Sequence, residues 1–527
     1  MNMKTLTIKN NNAVLKYSGN QLVFRNLLTG KLTYFTGGIE FVLYLEENGV
    51  IRVLPSDLFA LKSSSVTSRK IVLKYEKEEL SVCVEYLTKN GIFVKTLNIT
   101  SKVSINIKRV VLECRELSTE ASGGGEGMPV FVGNEMWCGI EYPVANNRIT
   151  GKVLSFVQAP FEMTDSFLSL PVVYGFNTFG NLSLSFENYI KSTCVKKKPL
   201  KIYCDWALHD DLSDSVYLTE ELTLANIQNV VNFGKKSGVR FDYYLMDAFW
   251  FEENDPYIKF KASTFPNGST KVVKSINDCG MKFGLWFDIN FIHAHMQNWE
   301  EYDSMLCNGA HCFAVDKVAE LMTSAIEYHI RKNNVKMIKL DFAYFECKNP
   351  NHGHSVEHLE SKERSVKNYI KMVEYLKSIE PELKILCYNG WTTELDWIGC
   401  VKERNGFPIS PYWCKYADYL YCGDPRPSEI ACADLSTSLV YYTDSMIRNF
   451  RKAYIPFNMI DDHGTMMGDT STIYWLGKKP FRCGTLMNVM RGGEKIHLYG
   501  VIDNLDADDC RYMKYISKVY EVSKKGG

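Results

Sequence analysis

Several things are missing from this chain, and each absence removes a class of function. Charge of either sign is not in excess, since 61 Lys and Arg balance 61 Asp and Glu for a formal net charge of zero. A protein built mainly to hold nucleic acid or an anionic membrane surface is therefore not expected. No apolar run approaches the roughly 18 residues of a membrane helix. The start, Met-Asn-Met-Lys-Thr-Leu-Thr-Ile-Lys, has no apolar stretch of the export-signal kind. The chain as given reads as cytoplasmic, and a leader removed beforehand would leave the same beginning. The 16 cysteines form no CxxC pair and no repeated spacing. Scattered through apolar segments, as at Cys204, Cys387, Cys422 and Cys483, they suit reduced, buried side chains rather than a disulfide framework or a zinc site. Gly123-Gly-Gly-Glu-Gly-Met-Pro lies in a loop without the strand-to-helix setting of a phosphate-binding turn. No cofactor and no metal are expected.

What is present is length and aromatic content. At 527 residues the chain needs two or three domains, or one barrel with a large attachment. Aromatics make up 13%, including 9 Trp and 31 Tyr, enough for a sugar cleft whose walls stack on apolar ring faces, and equally for a large core.

From residue 1 to about 195 the texture is all-β. Alternating runs such as Ala13 to Tyr17, Gln21 to Arg25, Ile71 to Tyr75, Leu80 to Tyr86 and Val103 to Ile107 are separated by Gly, Asn, Lys-Glu or Ser clusters, which predicts a β-sandwich. Pro199, after the Lys196-Lys-Lys run, marks a boundary, so the expected domains are residues 1–197 and 198–527. Beyond it, strands alternate with helical segments, the signature of a parallel sheet. Eight strand candidates follow: Lys201 to Trp206, Phe241 to Asp247, Lys282 to Asn290, Met337 to Asp341, Leu383 to Asn389, Asp418 to Gly423, Tyr454 to Ile460 and Cys483 to Val489. Helical spacing appears over Thr219 to Lys236, Lys271 to Cys279, Val315 to Lys332, Glu363 to Ser378 and Asp508 to Val522. The expected fold class is α/β, a (β/α)8 TIM barrel preceded by an N-terminal all-β sandwich domain. A doubly wound open sheet is the alternative, disfavoured by the strand count.

Barrel chemistry sits at the C-terminal strand ends. In order these positions hold Asp205 and Trp206; Asp247 with Trp250; Trp286, Asp288 and Asn290; Lys339 and Asp341; Tyr388, Asn389 and Trp391; Asp418 and Asp424; and Asp461, Asp462 and His463. Lys339 and Asp341, two apart on one strand, enter the same cavity because strand side chains alternate; a structural ion pair is the plainer reading of that pair. Carboxylates among indoles suit glycoside hydrolysis, in which one carboxyl protonates the leaving oxygen while another attacks or stabilises the anomeric carbon. A divalent-metal site made of the same acids is the competing chemistry. Asp418 begins its strand, so a structural role is expected for it. His352, His354 and His358 suggest zinc at first sight, but substrate-loop contacts or solvent exposure are the preferred reading.

Here the residues resemble a known group. Ile338-Lys-Leu-Asp341 looks like the Lys-Trp-Asp strand of glycoside hydrolase family 36, in a clan of retaining α-glycosidases that includes families 27 and 31. Tyr244-Leu-Met-Asp-Ala-Phe-Trp-Phe251 is similar to the family's Asp-Asp-Gly-Trp-Phe segment, and Thr264-Phe-Pro-Asn-Gly268 to its Lys-Phe-Pro-x-Gly. Gly280 to Phe287 is similar to its third strand. Cys422-Gly-Asp424 occupies the place of its Ser-Asp, and Ile455-Pro through Asp462-His463-Gly464 looks like its later Pro and Gly-x-His block. The resemblance covers roughly residues 200–490 and is weaker over the first domain.

The resemblance implies a retaining α-glycosidase of the α-galactosidase or α-N-acetylgalactosaminidase type, acting on an oligosaccharide or glycoconjugate through a covalent glycosyl-aspartate. Asp341 would be the nucleophile, kept ionised by Lys339, and Asp424 the general acid and base, in a drier site near Pro425 and Pro427. Asp247 would accept hydrogen bonds from sugar hydroxyls, Trp206 and Trp250 would wall the ring, and Lys339 would bind hydroxyls near the nucleophile. Trp286, Asn389, Trp391, Arg426 and His463 complete the expected substrate-binding set. Barrel caps are the plainer role for the tryptophans, and a turn cap for Asp247.

The chain also departs from the family pattern. The family's second Asp and Gly after strand two are Ala248 and Phe249, its Cys-x-Gly-Gly-Gly becomes Cys387-Tyr-Asn-Gly-Trp391, and its Asp-rich stretch after the acid becomes Pro425-Arg-Pro-Ser-Glu429. A lost carboxylate removes a hydrogen-bond acceptor for sugar hydroxyls, which puts plain α-galactose in question. Arg426, if in the cavity, would suit a charged or N-acetylated sugar. A raffinose-synthase-like transglycosidase and a non-catalytic sugar-binding barrel are the alternative functions, and a homo-oligomer is among the expectations.

Overall fold

Alternation of buried and solvent-facing side chains builds the first unit. Strands Ala13–Tyr17, Lys70–Lys77 and Leu80–Lys89 bury close to every second residue, as a pleated strand with one core face requires. The structure is a computed structural model describing residues 5–19, 21–195, 200–206, 208, 217–294, 304–307, 309–354, 358–388, 390–391, 410–421, 444, 447–461, 466–467 and 495–525. These fall into two units: residues 1–193 with 348–366 and 408–413, and residues 194–347 with 367–407 and 414–527.

The run expected near Val103 to Ile107 belongs to one 22-residue strand, Ile92–Glu113. One edge pairs antiparallel with Leu80–Lys89 and then Val42–Glu47; the other meets Val172–Phe176, Glu162–Leu168 and Val153–Gln158 in turn. A register shift between Thr100 and Ile105 marks the irregularity along its length. The all-β reading missed one element, the helix Leu182–Thr193, where Leu182, Phe186 and Ile190 recur every fourth residue and are buried.

This unit carries a buried ionic cluster. Arg115 Nη1 donates to Glu113 Oε1 at 2.9 Å, its other nitrogen pairs with Glu40, and Lys95 Nζ lies 3.0 Å from Glu40 Oε1. Burial alone would raise the Glu40 carboxyl, but Arg115 and Lys95 outweigh it and hold it down at about 2. Its contribution to stability is therefore present above the ordinary glutamate range and lost as pH falls through about 2. Arg115→Met leaves two buried carboxylates to one lysine and is expected to cost about 3 kcal/mol of stability, read as a lower urea midpoint at pH 7.

The second unit is organised by a parallel sheet. Leu200–Cys204, Tyr243–Met246, Lys282–Asp288, Val335–Asp341, Lys384–Cys387, Tyr419–Tyr421 and Ile460–Asp461 pair as neighbours in sequence order. Lys495–Gly500 pairs with the first of these on its other edge and also with Met466–Met467. Strand Val335–Asp341 is buried almost throughout, the pattern of a parallel strand covered on both faces. Helices Glu220–Ser237, Thr270–Asp278, Asp316–Asn333, His358–Ile379 and Ala507–Lys525 fall where helical spacing was read. Thr219 caps the first by accepting from Leu222 N at 3.1 Å.

Two strand expectations are corrected. The seventh strand is not Tyr454 to Ile460: Tyr454 has a left-handed φ of 64°, Pro456 offers no N–H to a ladder, and Phe457–Met459 is a 3-10 turn, so pairing begins at Ile460. The strand closing on the first is Lys495–Gly500, whereas the expected Cys483 to Val489 lies outside the described residues.

Candidate active site

The fourth strand delivers its carboxylate as the alternation predicts. Asp341 ends Val335–Asp341 and is buried, paired in register with Asp288 on the third strand, while Trp286 pairs with Lys339. Asp341 Oδ1 accepts from Phe342 N at 2.9 Å and Oδ2 from Trp286 Nε1 at 3.3 Å. Trp286 thus orients the carboxylate through its indole N–H.

Lys339 lies on the same face, but its closest carboxylate is another one. Its Nζ is 2.7 Å from Asp247 Oδ2, at the end of the second strand, and sits 4.2 Å from the Tyr388 ring centre and 5.7 Å from that of Trp206. Asp247 also accepts from Ala248 N at 2.9 Å and from Cys204 Sγ at 3.1 Å. Burial alone would raise Asp247, but Lys339 outweighs it and holds it below the usual range. For Asp341 the balance runs the other way, and burial pushes it up against the opposing charge of Lys339. The nearest carboxylate to Lys339 is thus Asp247, while its charge still opposes the upward push on Asp341. Asp205, whose Oδ1 accepts from Asp247 N at 2.6 Å, is pushed by burial up to about 8.

Across the sheet, Tyr388 OH donates to Asp461 Oδ2 at 2.9 Å, and His497 Nδ1 lies 3.0 Å from the same oxygen. Tyr388 stacks on Tyr421 at 4.3 Å. His497 and Tyr499 were missed because the last strand was placed too early; the alternating Ile496-His-Leu-Tyr499 is the signal that would have found them.

Not every expected residue meets the site. Trp250 is fully buried, donates its indole N–H to Trp286 O at 3.0 Å and packs 4.8 Å from Phe260, so it belongs to the aromatic layer behind the strands rather than to a sugar wall. Trp391 is 3% exposed, packed edge-on to Phe345 and against Tyr369, and is likewise a core residue. Trp206 is half-buried beside Lys339. Asn389, Asp424, Arg426 and His463 lie outside the described residues. Asp418 is buried at the start of the sixth strand, where it accepts from Ile385 N at 3.0 Å and meets Lys377 and Lys384. His352 and His354 are buried rather than solvent-exposed: the turn Pro350–His352, capped by the Asn349 side chain on Asn351 N, brings their rings to 6.0 Å. Cys312 and Cys347 are buried together with Ala314.

Three phenylalanines follow the second, third and fourth strands in left-handed backbone: Phe249 at φ 70°, Phe291 at 53° and Phe342 at 51°. Such angles are outliers for bulky side chains and cost about 1–3 kcal/mol each. Phe249 takes a left-handed position where the resembling family has glycine. Beside two of these rings stands His293, whose ring lies 4.9 Å from Phe342, 6.0 Å from Phe249 and 5.8 Å from Trp286. Its backbone N and its Nδ1 both lie 2.9 Å from Asp288 Oδ2. The sequence pointed to Asp288 but not to His293, five residues on in the loop that follows the strand.

No protein-family model matches the chain, and no curated protein matches it in sequence. Solved structures do resemble it. The GH36 α-galactosidase AgaA from Geobacillus stearothermophilus matches with a TM-score of 0.61 at 12% identity, covering 99% of this chain and 86% of that one. AgaB from the same organism matches at 0.61 and 11%, covering 99% and 87%. The α-galactosidase from Lactobacillus brevis matches at 0.61 and 11%, covering 98% and 83%. The likeness spans both units, and the chain has the fold of the GH36 α-galactosidases.

Proposed function

We propose that this chain is a retaining α-glycosidase of the GH36 kind, hydrolysing terminal α-linked galactoside-type sugars, with Asp341 as nucleophile and Asp424 as general acid and base. The observation that carries the reading is Asp341 itself: a buried carboxylate at the end of the fourth parallel strand, oriented by an indole and an amide N–H. The fold adds support, since a doubly substituted variant of AgaA has been crystallised in complex with raffinose. The parallel sheet is read as a closed (β/α)8 barrel. Only residues 462–465 separate Ile460–Asp461, paired to the sixth strand, from Met466–Met467, paired to the last. That link reaches at most about 18 Å.

In the double displacement, Asp341 attacks the anomeric carbon while Asp424 protonates the leaving oxygen. Asp424 then takes a proton from the water that releases the sugar; retaining enzymes hold their two carboxyls roughly 5–5.5 Å apart. Lys339 has three N–H donors and gives one to Asp247, so the others can reach sugar hydroxyls near the nucleophile. A panel of nitrophenyl α-glycosides tests the reading. Hydrolysis of a galactoside-type member, with the α-anomer as first product by NMR, is expected. A β-anomer as first product, or no turnover across galactose, N-acetylgalactosamine, galactosamine, glucose, xylose and galacturonic acid, overturns it.

A further inference from the structure

One basic group near the strand ends has not been given a role. Lys339 gives one N–H to Asp247. His293 follows the third strand, and Asp288 fixes its ring on one edge by holding both its backbone N and its Nδ1. Nε2 sits on the opposite edge of an imidazole, so it faces away from Asp288. The side chain is 29% exposed while Asp288 is fully buried. The ring is thus anchored in the protein and partly exposed.

The surroundings aim it at the reacting centre. Phe342 follows Asp341 directly, and Trp286 donates its indole N–H to Asp341; both pack on the His293 ring. Phe249 closes the third side from a strained backbone, which shows that the fold bears a cost to keep an aromatic ring there. The charged groups that act on His293 are Asp288 and Asp341. Burial alone would lower the imidazole, but the hydrogen bond to Asp288 and the charges of both aspartates outweigh it and raise it. With Nδ1–H committed to Asp288, the ring when protonated offers a charged N–H donor at Nε2. A charged N–H donor at this place suits an anionic group on the sugar better than a neutral hydroxyl.

We infer that His293 is a substrate-contacting residue that selects an α-glycoside whose terminal sugar carries an anionic substituent, such as a hexuronic carboxylate. The inference deepens the glycosidase reading above and rests on it for the reaction, though not for the binding.

Two measurements separate the one from the other. The first is the ratio of kcat/KM for nitrophenyl α-galacturonide over nitrophenyl α-galactoside, in wild type and in His293→Gln. A wild-type ratio above one that falls by about tenfold or more in the variant, through KM rather than kcat, is expected. A wild-type ratio below one, or a ratio that His293→Gln leaves unchanged, overturns the inference while galactoside hydrolysis still upholds the glycosidase reading. The second is calorimetric binding of methyl α-galacturonide and methyl α-galactoside to Asp341→Ala, with and without His293→Gln, each variant first checked for an unchanged melting curve. Tighter binding of the uronide that disappears with His293→Gln supports the inference even if neither sugar is hydrolysed by the wild type. Equal binding of the two sugars sinks it.

Discussion

Asp341→Ala lowers kcat on an activated α-glycoside by about 10⁴-fold or more, the scale of removing a nucleophile. Added azide then restores turnover and yields a β-glycosyl azide. Azide fits because the missing carboxylate leaves an anion-sized space beside the Trp286 indole and the Phe342 amide, both of which donated to it. Loss of activity here is not loss of fold. Burial raises the Asp341 carboxyl, and an acid raised in the folded state contributes stability that is lost as pH rises through its unfolded and folded values. Near pH 7 the ionised group is a net burden, so the Ala variant is expected to melt no lower than wild type. Unimpaired turnover in Asp341→Ala would remove it from the chemistry. A β-azide that never forms would speak against attack by this residue.

Lys339→Met damages both stability and activity. Asp247 is buried with Lys339 at 2.7 Å as its cation, and removing one partner of a buried pair costs about 3–5 kcal/mol. The same change withdraws the charge that opposes the upward push on Asp341. Its folded pKa climbs further, and the acidic limb of kcat/KM moves to higher pH. In the double variant Lys339→Met, Asp247→Asn stability recovers because no buried charge is left alone, and the pH limb moves part of the way back because the Asp247 charge that also raises Asp341 is gone. A limb that Lys339→Met alone leaves in place would show that the lysine charge does not act on Asp341.

Much of this was legible in the sequence because it follows from alternation and periodicity. Lys339 and Asp341 share a face since they are two apart on a strand, and Asp418 was readable as structural because it begins its strand. Helices were readable wherever an apolar stripe faces the sheet, as at Ile227 and Val230 of Glu220–Ser237. What failed was decided by contacts between distant segments. Trp250 sits at a strand end like Trp206, yet a partner carbonyl on Trp286 and the ring of Phe260 draw it into the layer behind. The share of Lys339 between Asp247 and Asp341 depends on which carboxylate lies nearer, and strand position does not specify that. His293 was hidden because a loop places it against Asp288, and loops carry no period.

The phenylalanines at 249, 291 and 342 bear on how this chain can evolve. Each holds a backbone angle that glycine adopts without strain, so glycine at any of them would relieve the backbone and lose a ring. Phe291 is 2% exposed and stacks 5.3 Å from Tyr257, so its ring serves packing, whereas Phe249 and Phe342 lie against His293. A glycine at 249 or 342 therefore trades substrate contacts for stability, and one at 291 trades one kind of stability for another.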